Sequence, residues 1–186
     1  MVARVALPAT VRTFHIALSD VDRAVYETLD LRVAQHPSET AERLIARVLA
    51  YCVCFEEGVA FSGAGLCAPD EPAVSVRDAL GGLAHWIEVG LPSAERVHKA
   101  AKAAARVSVF AHRDPAPLFR EAERRRVHGA DRVRVYALDP VAVATLAGVC
   151  DRKNDWTVIV QAGTLTVSTA ETTVTCALEP VPLDRG

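Results

Sequence analysis

Alternating apolar and polar positions dominate the first part of the chain. Over residues 12–18 every second position is apolar, which is typical of a strand with one buried face. The same alternation returns over residues 26–34. A polar break around Asp20 and Asp22 separates the two stretches and predicts that they pair as a hairpin. The apolar positions are Phe14, Ile16 and Leu18 in the first stretch and Leu29, Leu31 and Val33 in the second.

The apolar spacing changes to that of a helix after His36 and Pro37. Apolar residues then recur every three or four positions, so we predict a helix over residues 38–56 with Ser38 as its N-cap. Glu42 falls in the first turn, where the helix dipole favours a carboxylate. The apolar positions are Leu44, Val48, Tyr51 and Phe55.

Short strand and helix patterns alternate along the rest of the chain. The predicted strands are 59–61, 74–77, 83–89, 107–110 and 132–137, followed by a hairpin of 156–161 with 164–169 and a strand near 172–178. The predicted helices are 94–105, 115–126 and 140–149. Because tight turns and helical crossovers both connect the strands, we predict an α/β fold with a mixed sheet flanked by helices. Neither a repeat nor a linker interrupts the pattern, so we expect one domain over residues 1–186.

Composition excludes several classes of protein. With 51% hydrophobic and 24% charged residues, the chain of 186 residues is not a disordered, collagen-like or coiled-coil protein. The apolar runs are much shorter than the roughly 20 residues that a membrane span needs. Five cysteines without a secretory signal predict free thiols and a cytoplasmic location. Cys67 precedes His85 and His98, but no nucleophile signature surrounds it, so a cysteine enzyme is the weakest alternative.

Charge is unevenly distributed although the formal net charge is only -2. Residues 56–95 hold seven acids and one arginine, whereas residues 96–134 hold eleven basic residues and four acids. An acidic segment followed by a basic one suits a metal site beside a surface that holds phosphate. The basic residues equally fit solvated helix faces. Only 5% of residues are aromatic, which argues against recognition of single strands by base stacking.

Two acidic sites interrupt apolar or turn sequences. Asp70 and Glu71 lie between two prolines at the entrance of a strand, and Glu88 lies inside an apolar strand. A buried carboxylate needs a cation or a hydrogen-bond donor. Carboxylates that converge at the end of a strand can bind Mg²⁺ or Mn²⁺. An ordinary turn and an edge strand that faces water would account for the same residues, and this alternative stays open.

Lysines are scarce, and two of the three lie on the helix that follows Glu88. Lys99 and Lys102 are three positions apart and therefore share one helix face. An ammonium group close to a metal site can orient water or stabilise the charge of a reacting phosphate. A pair of solvated lysines on an outer helix face explains the spacing equally well.

Three blocks of sequence together resemble the YaeQ family of small bacterial proteins. They are HPSET followed by ER (36–40 and 42–43), GLC followed by DEP (65–67 and 70–72), and WIE followed by GLP, an arginine and KA (86–88, 90–92, 96 and 99–100). The resemblance implies a fold similar to the PD-(D/E)xK, or restriction-endonuclease-like, nucleases. The nuclease-like core would cover about residues 38–137, with additional N-terminal and C-terminal strands.

The resemblance also implies a set of site residues. In the PD-(D/E)xK superfamily a helix glutamate, an aspartate at the second core strand and an acid-x-lysine motif on the third build a Mg²⁺ site. Carried over, the metal ligands would be Glu42, Asp70 and Glu88, assisted by Glu71. Gly90 stands where the lysine of the motif is expected, so Lys99 on the following helix would replace it.

Two functional hypotheses follow. The first is a nuclease or other phosphodiesterase that depends on Mg²⁺ or Mn²⁺, with Asp70, Glu88 and Lys99 as catalytic residues. Arg96 and Lys102 would then contact the nucleic acid. The second is a catalytically inactive module of the nuclease fold that binds nucleic acid or a protein partner. The missing strand lysine favours this second hypothesis.

Overall fold

Two β-sheets and four α-helices form the part of the chain that the structure, a computed structural model, describes: residues 9–63 and 71–184. The strands are β1 (Thr10–Asp20), β2 (Val25–Gln35), β3 (Val59–Phe61), β4 (Val74–Arg77), β5 (Leu83–Val89), β6 (Arg106–Ala111), β7 (Val133–Ala137), β8 (Lys153–Gln161), β9 (Thr164–Ser168), β10 (Thr173–Ala177) and β11 (Pro180–Pro182). The helices are α1 (Ala41–Val53), α2 (Ala94–Ala103), α3 (Ala116–Arg125) and α4 (Pro140–Gly148), with one turn of 3₁₀-helix at Ala130–Arg132.

The first sheet is made of the strands at the two ends of the chain, in the order β10-β9-β8-β1-β2. The predicted hairpin of β1 and β2 is confirmed, with Phe14 opposite Leu31 and Ile16 opposite Leu29. β1 also pairs with β8 in a parallel arrangement that joins residues about 140 positions apart in the chain. The strands β1, β2, β8, β9 and β10 therefore build a sheet of their own, whereas β11 extends the second sheet by pairing with β7.

The second sheet has the order β11-β7-β6-β5-β4-β3. β5, β6 and β7 are parallel to one another, whereas β3, β4 and β11 are antiparallel to their neighbours. The predicted mixed character is thus confirmed. β11 was not predicted because its two prolines lack an N–H group, and prolines are tolerated at such an edge strand.

Helix α1 packs between the two sheets because apolar side chains lie on more than one of its faces. Leu44, Ile45, Val48 and Leu49 are almost completely buried and belong to one cluster with the inner residues of both sheets.

The predicted N-cap of α1, Ser38, is wrong. Thr40 caps the helix by accepting a hydrogen bond from the N–H of Arg43, at 3.2 Å. The hydroxyl of Ser38 instead contacts the ring of His36, at 2.6 Å.

Helices α2 and α3 cover the other face of the second sheet. Val97 of α2 and Phe119 of α3 pack there against Trp86 and Val109 of the sheet. Ser93 caps α2 by accepting a hydrogen bond from the N–H of Arg96. Since side chains alternate along a strand, β5 turns Ile87 and Val89 toward α1 and turns Trp86 and Glu88 toward α2.

In the described ranges no helix is both long enough and apolar enough to cross a membrane.

Candidate functional site

A pocket of about 480 Å³ opens where β5 and β6 end. The loop after β5, the residues after β6 and the N-terminal turns of α1 and α2 contribute to its wall. The carboxyl ends of neighbouring parallel strands form a common ligand-binding position in α/β folds. The charged and imidazole side chains that line the pocket are Arg43, Glu88, Arg96, His112 and Arg113.

Among the described residues that line the pocket, Glu88 is the only acid, and it is buried, with 4% of its surface exposed. The indole N–H of Trp86 donates to its Oε1 at 2.6 Å, and Nε of Arg96 donates to the same oxygen at 2.7 Å. Trp86 can do so because it lies two residues before Glu88 and therefore on the same face of β5. A cation partner and a buried donor are what a carboxylate in this place requires.

Burial raises the pKa of Glu88 above its ordinary value of 4.5, because the loss of water outweighs the opposing effects of Trp86 and Arg96. The charge of Arg43 also favours the ionised form, more weakly. Glu88 is therefore a carboxylate whose charge depends on the cations that surround it.

Arg96 links the two acidic segments that the sequence singled out. Its Nη2 donates to the backbone carbonyl of Glu71 at 2.7 Å, while its Nε holds Glu88. The guanidinium also lies over the ring of Trp86, 5.8 Å from the ring centroid. Because Ser93 caps the helix three residues earlier, Arg96 lies in the first turn of α2, directly beside the end of β5.

A second arginine reaches the pocket from α1. Arg43 donates to Glu39 at 2.8 Å, and the buried Arg47 donates to the other oxygen of the same carboxylate at 2.8 Å. Arg47 also donates to the carbonyl of Ala34 at the end of β2. This network holds the start of α1 in place, so the position of Arg43 on the pocket wall is well defined.

His112 and Arg113 follow β6 directly and complete the wall. His112 is buried, and burial lowers its pKa, an effect that the neighbouring charges of Arg113 and Arg43 reinforce. The imidazole is therefore neutral near pH 7. Gly90, in the loop after β5, has φ +101°, and a Cβ at this position would lie 3.9 Å from Cε1 of His112. The glycine is required for its backbone conformation and leaves room beside the imidazole.

The predicted site residues are only partly brought together. Glu88 and Arg96 line the pocket, but the side chain of Glu71 accepts a hydrogen bond from the hydroxyl of Ser62 at 2.7 Å. Glu42, in the first turn of α1, is near enough for its charge to raise the pKa of His112. Lys99 and Lys102 are exposed on α2 and do not line the pocket. Asp70 lies outside the described residues.

Within residues 9–63 and 71–184, no group of three or more histidine, cysteine, aspartate or glutamate side chains is arranged to hold a metal ion. Of the predicted ligands that are described, Glu42 lies on α1, Glu71 in the segment before β4 and Glu88 on β5. The side chain of Glu71 contacts Ser62, whereas that of Glu88 contacts Trp86 and Arg96. The fourth predicted ligand, Asp70, is not among the described residues, so the metal site stays a prediction.

The sequence analysis missed three contributors to this pocket: Arg43, His112 and Arg113. A signal for two of them was present, since His112 and Arg113 follow a strand that is parallel to β5 and adjacent to it. Polar residues after such a strand meet those after its neighbour. Arg43 carries no such signal, because the approach of α1 to this edge depends on how the helix packs.

The fold and the pocket define a two-sheet α/β protein with an arginine-lined site at the carboxyl edge of its parallel strands. The model of the YaeQ protein family matches residues 5–178, so the chain belongs to the YaeQ family. It is 32% identical over 164 residues to the YaeQ protein of Escherichia coli strain K12, covering 88% of this chain and 90% of that protein. The YaeQ protein of Salmonella typhi is also 32% identical, over 166 residues, covering 89% and 91%.

Two crystal structures have the same fold. The YaeQ protein from Pseudomonas syringae superimposes with a TM-score of 0.87 at 31% identity and covers 96% of this chain and 98% of its own. The YaeQ protein from Xanthomonas axonopodis pv. citri gives a TM-score of 0.83 at 32% identity, covering 92% and 96%. The bacterial family that the sequence resembles is thereby confirmed.

Proposed function

We propose that the pocket binds a phosphate group of a nucleic-acid backbone. The observation that carries this proposal is the convergence of Arg43, Arg96 and Arg113 on one pocket whose described lining contains a single carboxylate. Guanidinium groups bind phosphate oxygens through paired hydrogen bonds. The three guanidinium groups outnumber the two carboxylates that pair with them, Glu39 with Arg43 and Glu88 with Arg96. A phosphodiester carries the complementary negative charge.

The two helices that begin at the pocket support an anionic ligand. Thr40 caps α1 and lines the pocket, and α2 begins just after Pro92, which lines it too. The N-terminus of a helix presents unpaired N–H groups and a partial positive charge, which favour an anion. Both helices therefore add to the field of the three arginines.

A polymer of phosphates fits better than a single small phosphate because basic residues continue beyond the pocket. Lys99 and Lys102 follow Arg96 along α2 and are exposed. Each neutralised phosphate of a nucleic acid adds to affinity through release of counterions. Further exposed arginines lie on the neighbouring α3, namely Arg120, Arg124 and Arg125.

Fluorescence anisotropy with labelled single-stranded and double-stranded DNA and RNA, in EDTA, tests the proposal. We expect binding that weakens with salt, and we expect Arg113→Glu to weaken it about tenfold or more with a shallower salt dependence. Lys153→Glu is the matched control, because it reverses an exposed charge at the start of β8 in the other sheet. The proposal fails if the wild type does not bind, or if both variants weaken binding equally.

Metal-dependent cleavage by a PD-(D/E)xK-type site is the second candidate, and one contact favours it. Arg96 joins the Glu88 carboxylate to the backbone of Glu71, so the two acidic segments meet at one guanidinium. The core order α1, β3, β4, β5, α2, β6 agrees with the order that the superfamily resemblance implies. Restriction-endonuclease-like architecture is thus part of this proposal.

The metal ligands available among the described residues give only limited support to metal-dependent cleavage. The described residues contain no group of three or more His, Cys, Asp or Glu side chains placed to hold a metal ion, and the oxygen of Glu88 that receives both hydrogen bonds already faces a cation. Cleavage would therefore depend on Asp70 and on an ammonium group from Lys99 in place of the absent strand lysine.

A plasmid-nicking assay in Mg²⁺ or Mn²⁺ decides between binding alone and cleavage. If the chain is a nuclease, the wild type nicks the plasmid, EDTA stops the reaction, and Glu88→Ala and Lys99→Ala abolish it. The cleavage candidate is rejected if the wild type is inactive at high protein concentration or if activity survives both substitutions. The anisotropy experiment in EDTA remains informative in either case.

A further inference from the structure

Strand β2 forms one outer edge of the first sheet. It runs for 11 residues, Val25–Gln35, and pairs with β1 in unbroken register along its whole length. Among the strands of the described ranges, none pairs with its other side. Proteins usually block such edges with a proline, a bulge or a very short strand. β2 has none of these three features, but it carries the charged side chains Glu27, Asp30 and Arg32, which also oppose pairing unless a partner strand matches them.

The hydrogen bonds of β1 establish which backbone groups of β2 face the free edge. The N–H of Thr13 donates to the carbonyl of Arg152 at 2.8 Å, so Thr13 and every second residue of β1 bond to β8. The alternate residues, including Phe14, therefore bond to β2, where the partner of Phe14 is Leu31. The β2 residues whose backbone groups point outward are Tyr26, Thr28, Asp30, Arg32 and Ala34, of which Ala34 already uses its carbonyl to accept a hydrogen bond from Arg47 at 2.8 Å.

We propose that two copies of this chain dimerise through antiparallel pairing of their β2 strands about a two-fold axis at Leu31. The two five-stranded sheets would then form one continuous sheet. In this register Asp30 lies opposite Arg32 of the partner subunit, and the symmetry creates the same pair a second time. The outward backbone groups other than the Ala34 carbonyl form about six hydrogen bonds between the subunits.

Charge distinguishes this register from its neighbours. Placing the axis at Asp30 would set two aspartates opposite each other, and placing it at Arg32 would do the same with two arginines. Like charges directly opposite each other destabilise a strand pair, whereas opposite charges stabilise it. The axis at Leu31 is the one of these three that creates attraction at both positions.

The side chains of β2 fit this register on both faces of the sheet. Asp30 and Arg32 lie on the open face, where the side chain of Asp30 is 83% exposed although it contacts Nδ1 of His15 at 2.7 Å. A carboxylate has a second oxygen for a guanidinium across the edge. On the inner face the register joins Leu29 to Val33 of the partner subunit and Leu31 to its own copy, which continues the apolar layer.

Sedimentation equilibrium of the full chain over about 1–100 µM tests the dimer. We expect the wild type to dimerise, and we expect Asp30→Arg and Arg32→Asp each to weaken the dimer about tenfold or more, because each creates two like-charge pairs. Asp155→Arg is the matched control, since this exposed aspartate of β8 lies on the same open face away from the edge. It should leave the dimer unchanged.

Complementation makes the test specific for the register. The double variant Asp30→Arg, Arg32→Asp should dimerise again, and a mixture of the two single variants should form a heterodimer, because both arrangements restore opposite charges. Circular dichroism establishes that each variant is folded. A monomeric wild type, a dimer that resists both single reversals, or folded single variants that fail to pair when mixed would each overturn the proposal, and the last two would point to another surface.

Discussion

Removal of the Arg96 guanidinium leaves the Glu88 carboxylate buried without the cation that faces it. Arg96→Ala deletes the hydrogen bond from Nε to Glu88 at 2.7 Å and the one from Nη2 to the carbonyl of Glu71 at 2.7 Å. The indole N–H of Trp86 remains as a donor to the carboxylate. The substitution therefore isolates what the arginine contributes to the stability of this edge of the sheet.

The burial of the two partners sets the size of the effect. Loss of one partner of a fully buried ion pair costs about 3–5 kcal/mol. Here the side chain of Glu88 is 5% exposed but that of Arg96 is 27% exposed, so water reaches part of the pair. We expect a loss of about 2–3 kcal/mol at pH 7, in which the bond to the Glu71 carbonyl is included. For a chain of this size that corresponds to a fall in Tm of about 4–12 °C.

The loss should depend on pH in a defined direction. The pKa of Glu88 in the folded state is already above 4.5, so its charge destabilises the fold as pH rises through that raised value. Without Arg96 the pKa rises further, and the carboxyl group takes up a proton more readily. The free energy lost in Arg96→Ala should therefore be smaller at pH 5 than at pH 8.

Urea denaturation followed by tryptophan fluorescence and circular dichroism measures this free energy. Arg120→Ala, at an exposed arginine of α3, is the control and should cost less than about 0.5 kcal/mol. Adding Glu88→Gln to Arg96→Ala removes the uncompensated charge and should restore part of the stability. The reasoning is refuted if Arg96→Ala costs no more than the control, or if its cost is the same at pH 5 and pH 8.

Three further predictions concern the scaffold. Thr40→Ala should cost about 1 kcal/mol and Ser38→Ala clearly less, because Thr40 is the N-cap of α1; equal losses in urea denaturation would contradict this assignment. Gly58→Ala should cost more than Gly81→Ala: both have positive φ, +86° and +82°, but only at Gly58 would a Cβ meet a backbone carbonyl, at 2.2 Å. Equal melting temperatures of these two variants would contradict this prediction. Burial raises the pKa of Cys54 to about 12, so this thiol should resist iodoacetamide at pH 8 until the chain is unfolded, as mass spectrometry can establish.

Most elements of the fold could be predicted from the sequence because they are recorded in local periodicity. The alternation around Phe14 predicts β1, and the spacing after Pro37 predicts α1, since backbone geometry alone decides which side chains share a face. The predicted first and last residues of the elements were less accurate. α1 ends at Val53, although the apolar pattern continues to Phe55, because the helical hydrogen bonds stop before the apolar positions do.

The division into two sheets could not be predicted in the same way. A strand with one apolar face can bury it against many partners, and the pairing of β1 with β8 joins segments about 140 residues apart. Local sequence contains no preference among such partners. The packing of α1 between the sheets buries the apolar faces that the two sheets turn toward each other, while α2 and α3 bury the outer face of the second sheet.

The candidate site could likewise be predicted from the sequence only in part. The sequence alone determined that Glu88 would need a partner, that Trp86 shares its face of β5, and that Gly90 stands where a lysine was expected. Only the tertiary structure brought Arg43 and Arg113 to the same pocket, because they belong to segments whose ends meet through the packing of a helix and a crossover. Which side chains of a strand are buried follows from their alternation between the two faces of the sheet. Which charged side chains line the pocket depends instead on which strand and helix ends the fold brings together at that edge of the sheet.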